Sequence, residues 1–389
     1  MDFRLGEKSE LLREEVREFL DEVLTPEMLE RCHRTGVNHD AEFSKAVRER
    51  GWLALGWPTE LGGQGRDPLE VLAYTEETRR RNAPIYGIST TMMVAYVISL
   101  LGTEEQKREL LPKAFNTEIV IALGFTEPEN GSDAAAAATR AVRDGDGWLI
   151  TGSKMFTTNA SVADYVFMLA RTNPDAPKHR GLTTFLVPLD QPGVEIRGVE
   201  TLSGERTNIT FYNDVFVSDA LRIGAVDGGW RVMTAGLASE HTASFSGEQH
   251  RLVEALTRWA CATADGDGRP RSADPDVQER IGRSRTELEV SKLLLRRAAL
   301  LRAQKDPSLV GRGSMSKLFS TERLQRQAEE TLELVGPDGV RALDDPTAIE
   351  GGIIEHMVRH AKGTTIYAGT SEIQRNIIAQ HALGLPRPS

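Results

Sequence analysis

The hydrophobic period of this chain changes twice, and that constrains its fold more than any single motif. From Glu10 to Leu24 the apolar positions Leu12, Val16, Phe19, Leu20 and Val23 fall at helical spacing, with acids and arginines on the opposite side. Helical patterns continue through Ala41 to Arg50, Leu69 to Arg80, Thr90 to Leu101 and Glu104 to Phe115, separated by turn-rich pieces such as Pro58 to Gly65. At Ile119 short β-rich runs take over: Ile119 to Thr126, Gly147 to Gly152, Tyr165 to Arg171, Thr183 to Leu189, Val194 to Val199 and Ile209 to Val217. Beyond Gly228-Gly-Trp230 the helical period returns. One stretch runs from Trp230 to about Ala264, long enough for a helix of ~50 Å at ~1.5 Å per residue. Others cover Asp276 to Lys305, Gly313 to Glu333, Gly352 to Lys362 and Ser371 to Leu383, the last with capping-box spacing at Ser371 and Gln374. The expected class is α+β multidomain: an all-α domain over 1–121, an antiparallel β-barrel or sandwich over 122–226, and a four-helix bundle over 227–389.

Several function classes drop out early. The 389 residues carry 47 basic and 57 acidic side chains, a formal net charge of −10, with the basic residues scattered, which leaves no footprint for nucleic acid. Cys32 and Cys261 form no CxxC pair, so neither a disulfide framework nor a cysteine zinc site is expected, and a cytoplasmic location is the default. No apolar run is long enough for a membrane span, and the first residues lead straight into a charged amphipathic segment. The chain has no GxSxG, GxxxxGK[ST], HExxH or GxGxxG motif. His356 and His360 are spaced i, i+4 and could share a helix face, but no third ligand is evident and no metal is expected.

Three runs carry chemistry. Thr126-Glu-Pro-Glu-Asn-Gly-Ser-Asp133 offers hydroxyls, a glycine and free backbone N–H groups to a polar ring edge or a phosphate; alternatively it is an ordinary turn. Lys154-Met-Phe-Thr-Thr-Asn-Ala160 sets an aromatic beside two hydroxyls, as a flat heteroaromatic cofactor needs, or as a core phenylalanine at a strand end. Ile366-Tyr-Ala-Gly-Thr-Ser-Glu-Ile-Gln374 puts Gly and Thr at a helix entrance, where N–H groups can meet a ligand or be capped internally.

In this order and spacing the three runs resemble the acyl-CoA dehydrogenase family. So do Gly51-Trp-Leu-Ala-Leu-Gly-Trp-Pro58, Gly228-Gly-Trp230 and Glu372-Ile-Gln-Arg-Asn-Ile-Ile-Ala379, and the resemblance spans essentially the whole chain. It implies helical, β and helical domains and FAD bound between subunits. Phe125, Thr126, Gly131 and Ser132 would face the flavin or the substrate mouth, Phe156 and Thr158 would cover the isoalloxazine, and Gly369 and Thr370 would meet it near its reactive face. Ser132 and Ala368 would also touch substrate. Glu333, Gly336 and Pro337 stand where the family's Gln-x-x-Gly-Gly stretch of a neighbouring subunit holds the adenine half, although the wording here departs from that pattern.

The implied reaction is α,β-dehydrogenation of an acyl-CoA, with an α-proton going to a carboxylate. Many members supply it from Tyr-Glu-Gly-Thr, but this chain reads Tyr367-Ala368-Gly369-Thr370. A minority place the Glu on the first long helix of the C-terminal domain, in a Leu-x-x-Glu-Arg context. Here the matching run is Leu237-Ala-Ser-Glu240-His241, which makes Glu240 the expected base, sharing a helix face with Met233, Gly236, Ser244 and Gly247. The resemblance further implies an electron-transfer flavoprotein as acceptor and a homotetramer or dimer, with an α2β2 heterotetramer as another arrangement. A flavin oxidase or monooxygenase of the same fold and a non-catalytic partner subunit are the rival readings. Straight, branched and sterol-derived acyl groups all stay open.

Overall fold

The structure is a computed structural model and describes residues 5–237 and 245–386. The N-terminal layer contains α1 (Glu7–Val23), α2 (Pro26–Thr35), α3 (Ala41–Glu49), α4 (Pro68–Arg80), α5 (Tyr86–Leu101) and α6 (Glu104–Phe115). Helix α2 was not read from the sequence, although its signals are there: Thr25 accepts from the Met28 N–H, Pro26 opens the helix, and Gly36 closes it in the left-handed region. Phe19, Phe43, Val47 and Trp52 form the centre of this layer's core.

A single eight-stranded sheet follows: β1 (Ile121–Gly124), β2 (Arg140–Asp144), β3 (Gly147–Lys154), β4 (Tyr165–Arg171), β5 (Leu182–Pro188), β6 (Val194–Glu200), β7 (Arg206–Ser218) and β8 (Arg222–Ile223). Its order is β6-β7-β3-β2-β4-β5-β8, with β1 added beside β4. Pairing is mainly antiparallel, but β1 and β2 both run parallel to β4. A bulge between Ile150 and Gly152 sets Thr151 against two residues of β7 and turns the end of β3 inward. That twist brings Lys154 into the interior, where it is fully buried.

The C-terminal part comprises α7 (Gly229–Leu237), α8 (Ser246–Ala262), α9 (Pro275–Ala303), α10 (Leu309–Val335), α11 (Ile353–Thr364) and α12 (Ser371–His381). The expected single helix from Trp230 to Ala264 is not found. Phe245 has φ −108° and ψ 26°, outside the helical region, and its N–H is directed to Ser320 Oγ (3.3 Å), so α8 starts anew at Ser246. Helix α7 lies against α5 and the sheet, with Met233 in the core between Ala135 and Leu169, whereas α8 crosses α4. Gly236 faces Val97 and Gly247 faces Arg79, so these glycines do not share one helix face. The expected cap of the last helix also shifts by one residue: Thr370, not Ser371, accepts from Ile373 N–H.

At Gly247 a Cβ would come within 2.7 Å of Arg79 Cβ and 3.0 Å of its carbonyl carbon, so helix α8 can cross α4 here because the side chain is missing. Gly247→Ala should therefore destabilise the protein by about 1–3 kcal/mol, measured as a lower urea midpoint. An unchanged midpoint would show that the crossing has slack.

Candidate active site

One buried ion pair joins the first two runs. Glu127, just past β1, is 6% exposed, and its Oε1 accepts from Lys154 Nζ (2.7 Å) and from Thr139 N–H (2.9 Å). Oε2 accepts from Ala138 N–H (2.7 Å), and Lys154 Nζ donates a second bond to Leu169 O (2.6 Å). Burial alone would push the Glu127 carboxyl up; Lys154 and these N–H donors outweigh it and hold the group at about 2. Met155 N–H donates to Thr126 O (2.8 Å) alongside, and Asn130 Nδ2 to Ala136 O (2.9 Å). With its base fixed this way, the loop turns Gly131 and Ser132 outward to solvent. Phe125 is half-buried, edge-on to Phe167 at 5.9 Å and packed beside Met233, so much of its ring belongs to the core.

The second run presents Phe156 on a strained turn. Its φ is +57°, its ring is 54% exposed, and Asn159 at φ +63° completes the bend. A left-handed bulky residue costs about 1–2 kcal/mol and needs outside support. That support comes from β7: Thr157 N–H donates to Asn208 O (2.9 Å), Asn208 Nδ2 donates to Thr157 O (3.0 Å), and the hydroxyls of Thr158 and Thr207 lie 3.1 Å apart.

The third run forms the loop between α11 and α12. Ala368 and Gly369 are both left-handed, at φ +53° and +82°. Gln374 Nε2 donates to Ala368 O (3.0 Å) and buried Lys317 Nζ to Gly369 O (2.7 Å), so both carbonyls are tied down from behind. The φ of Gly369 favours glycine, and a Cβ there would come within 2.6 Å of Gln374 Nε2 and displace the side chain that holds Ala368 O. Thr370 caps α12, and the Ser371 hydroxyl is buried without a hydrogen-bond partner among the described residues. Beside it runs a polar groove of about 420 Å³ between α10 and α12, with Glu322, Arg326, Thr370 and Arg375 in its walls.

The β6–β7 hairpin connects the second run to the third. Its residue Glu205 lies two positions before Thr207 and 3.3 Å from His360 Nδ1 on α11, the helix that leads to Tyr367. Arg359 Nη1 donates to Leu202 O (2.7 Å) at the same tip.

Other expected positions lie elsewhere. Glu333 is exposed near Arg280, and Gly336 and Pro337 follow the end of α10. Sixteen residues of α10 separate Glu333 from Lys317, about 24 Å at 1.5 Å per residue, so within one chain these three do not meet the Gly369 loop. Glu240 and His241 lie outside the described residues. His356 and His360 stack at 5.7 Å, and among the described residues no three His, Cys, Asp or Glu side chains gather as for a metal. The sequence does not single out the supporting residues Lys317 and Asn208, and it marks Gln374 only for capping-box spacing with Ser371. A lysine inside a helix, or an asparagine in a strand, gives no local sign of what it reaches.

Comparison with known proteins gives the same three-part division. Family models described as the N-terminal, middle and C-terminal domains of acyl-CoA dehydrogenase match residues 6–118, 122–215 and 227–383. The chain belongs to the acyl-CoA dehydrogenase family. It is similar to acyl-CoA dehydrogenase FadE26 of Mycobacterium tuberculosis, at 35% identity over 98% of each chain. Among solved structures it resembles a chain of the ChsE4-ChsE5 complex of the same organism, at 34% identity and a TM-score of 0.90 over 100% of both. It also resembles a chain of the Tcur3481-Tcur3483 steroid ACAD, at 32% identity and a TM-score of 0.90 over 100% of both. As a member of this family the chain is an FAD-dependent oxidoreductase. The residues present fit that cofactor: an outward-facing phenylalanine on a rigid turn, the Thr158 hydroxyl, an orphaned Ser371 hydroxyl and the capped start of α12. Among the described residues no helix is long and apolar enough to cross a membrane.

The ion pair generates a prediction. Lys154→Met strands the buried Glu127 carboxylate and should cost about 3–5 kcal/mol. The pH dependence changes as well. Because Glu127 is held below its ordinary 4.5, the native chain carries a stabilisation that is complete above that value and is lost as pH falls towards about 2. Urea midpoints across that acid range should lose this component in Lys154→Met; an identical acid profile would show that Lys154 is not what holds Glu127.

Proposed function

We infer that the chain is a catalytically competent acyl-CoA dehydrogenase subunit that introduces an α,β double bond into a bulky, steroid-bearing acyl-CoA. Family membership carries the reaction class, and the likeness to the steroid ACAD carries the substrate class. Glu240 is the base that takes the α-proton, assigned from its Leu237-Ala-Ser-Glu240 context. The Ala368 N–H has no acceptor among the described residues, while Gln374 and Lys317 hold the loop that carries it. It is the donor placed for the thioester oxygen, which lowers the cost of enolate charge at the α-carbon. Phe125, Thr126, Gly131 and Ser132 line the mouth, and Phe156, Thr158, Gly369 and Thr370 hold the cofactor. FAD, when bound, accepts the β-hydride.

Glu333, Gly336 and Pro337 act on the cofactor of another subunit, a reading supported by the ~24 Å of α10 between them and Lys317. An α2β2 assembly is proposed on the likeness to the ChsE4-ChsE5 and Tcur3481-Tcur3483 chains, with an electron-transfer flavoprotein as acceptor and the cytoplasm as location. Ala368 favours one rival, a partner subunit without chemistry. Glu240 in its Leu237-Ala-Ser-Glu240 context, and a thioester donor that needs no side chain, argue against it.

Two measurements test this. Anaerobic mixing of the FAD-loaded protein with steroid acyl-CoA should bleach the flavin, and Glu240→Gln should slow bleaching by ~10²-fold or more at unchanged FAD content. Equal rates in that variant would remove Glu240 as the base. In a second series, Glu240→Gly combined with Ala368→Glu should recover part of what Glu240→Gly alone loses. No recovery in a folded, FAD-loaded double variant would mean that positions 240 and 368 are not equivalent for a base.

A further inference from the structure

Where the three domains meet, four buried side-chain atoms have no hydrogen-bond partner among the described residues: Nε of Arg251, Oε2 of Glu248 and both ring nitrogens of His360. They form one neighbourhood. Glu248 and Arg251 are one turn apart on α8, and His356 and His360 one turn apart on α11. Arg79 of α4 brings Nη1 to 3.7 Å from Glu248 Oε1. Glu205 of the hairpin lies 3.3 Å from His360 Nδ1, too poorly aligned to form a hydrogen bond. Arg251 lies within the electrostatic reach of Glu248, Glu205 and Arg79, and His356 within that of His360, Arg251, Glu205 and Arg359.

Folded proteins partner more than about nine in ten buried polar groups, so four orphans in one place indicate that something outside the chain completes them. The neighbourhood lies beside the Ala368 loop. Phe245, the residue before α8, has its ring 5.8 Å from that of Tyr367, which is 44% exposed and feels the charges of Glu205, Glu248 and Arg79 as well as Tyr86. Tyr86 is itself 42% exposed, and Ala368, the proposed thioester donor, follows Tyr367 directly.

The charges decide what kind of group fits. Two guanidinium groups, Arg79 and Arg251, face two carboxylates, Glu205 and Glu248, while Arg359 is already engaged by Glu355 (2.8 Å). Burial, with His360 and Arg251 nearby, pushes His356 down to about 3, so it is uncharged at neutral pH. An anion would find no net attraction here, and an alkyl chain would leave the orphans unpaired. A neutral group that both donates and accepts satisfies the two on α8, Glu248 Oε2 and Arg251 Nε.

We propose that this neighbourhood binds a hydroxyl carried on the acyl group of the substrate, with Glu248 Oε2 accepting its proton and Arg251 Nε–H donating to its oxygen. This deepens the acyl-CoA reading above and rests on it. A site built to pair a hydroxyl discriminates strongly against the analogue that lacks it.

The test is calorimetric titration of the FAD-loaded protein with acyl-CoAs in a length series, each ending in hydrogen, hydroxyl, oxo or carboxylate. At one chain length the hydroxyl compound should bind about 10-fold or more tighter than the others. The ratio should fall to about 1 in Glu248→Ala and in Arg251→Met, with the isosteric Glu248→Gln used where an alanine variant does not fold. Absence of discrimination at every length, discrimination kept in the variants, or preference for the carboxylate each overturns the proposal. Flavin bleaching is scored separately: hydroxyl discrimination without bleaching by any acyl-CoA would sink the catalytic reading and leave the hydroxyl site standing.

Discussion

The site depends on the ion pair between Lys154 and Glu127. Neither group could be buried alone, because an unpaired charge in the interior would neutralise or drag its strand outward. Paired, they weld the end of β1 to the end of β3, and the remaining carboxylate lone pairs are used by the N–H groups of Ala138 and Thr139. The exposed parts of two loops, Gly131-Ser132 on one and Phe156 on the other, therefore project from a common anchor. Such a pair adds little net stability over an apolar one of the same shape, so its value lies in fixing position.

The β6–β7 hairpin does for the domains what the ion pair does for the loops. Arg206 N–H donates to Gly36 O (2.8 Å) at the end of α2, where a Cβ on Gly36 would overlap the Arg206 backbone nitrogen at 2.5 Å. On the other side Leu202 O accepts from Arg359, and just beyond the tip Thr207 and Asn208 brace the Phe156 turn. One hairpin thus touches the N-terminal layer, the C-terminal helices and the Phe156 turn. A change in its tilt would move the Phe156 turn relative to the C-terminal helices.

How much of this was legible from sequence varies with the range of the interaction involved. The strand Tyr165–Arg171 was read to the residue because the apolar run is short, β-rich and bounded by turns. Strand β2 was missed: Arg140-Ala-Val-Arg-Asp144 has one buried side chain in five and becomes a strand through its pairing with β3. The break before α8 was equally hidden. Alanine and serine spacing there suits a helix, and the element that takes over the Phe245 N–H is Ser320, seventy-five residues away. Within the site, local chemistry marked the hydroxyls, glycines and the aromatic as candidates, whereas the groups that hold them, Lys154, Lys317 and Asn208, matter through partners that only tertiary structure brings near.

Strain shows why a base can be absent from Ala368 without dismantling the site. Phe156, Asn159 and Ala368 all occupy the left-handed region, at about 1–3 kcal/mol apiece for residues other than glycine. None of these conformations is held by the residue's own side chain. Asn208 holds the first turn, and Gln374 and Lys317 grip the carbonyls of Ala368 and Gly369 in the second. The direction of the Ala368 N–H is therefore set by neighbours that are indifferent to what stands at Cβ. A carboxylate at this position could be lost while the donor beside it kept its aim, provided that another wall of the cleft supplied an acid. On the proposed assignment, a backbone donor held in this way lets the base come from another element without disturbing the donor.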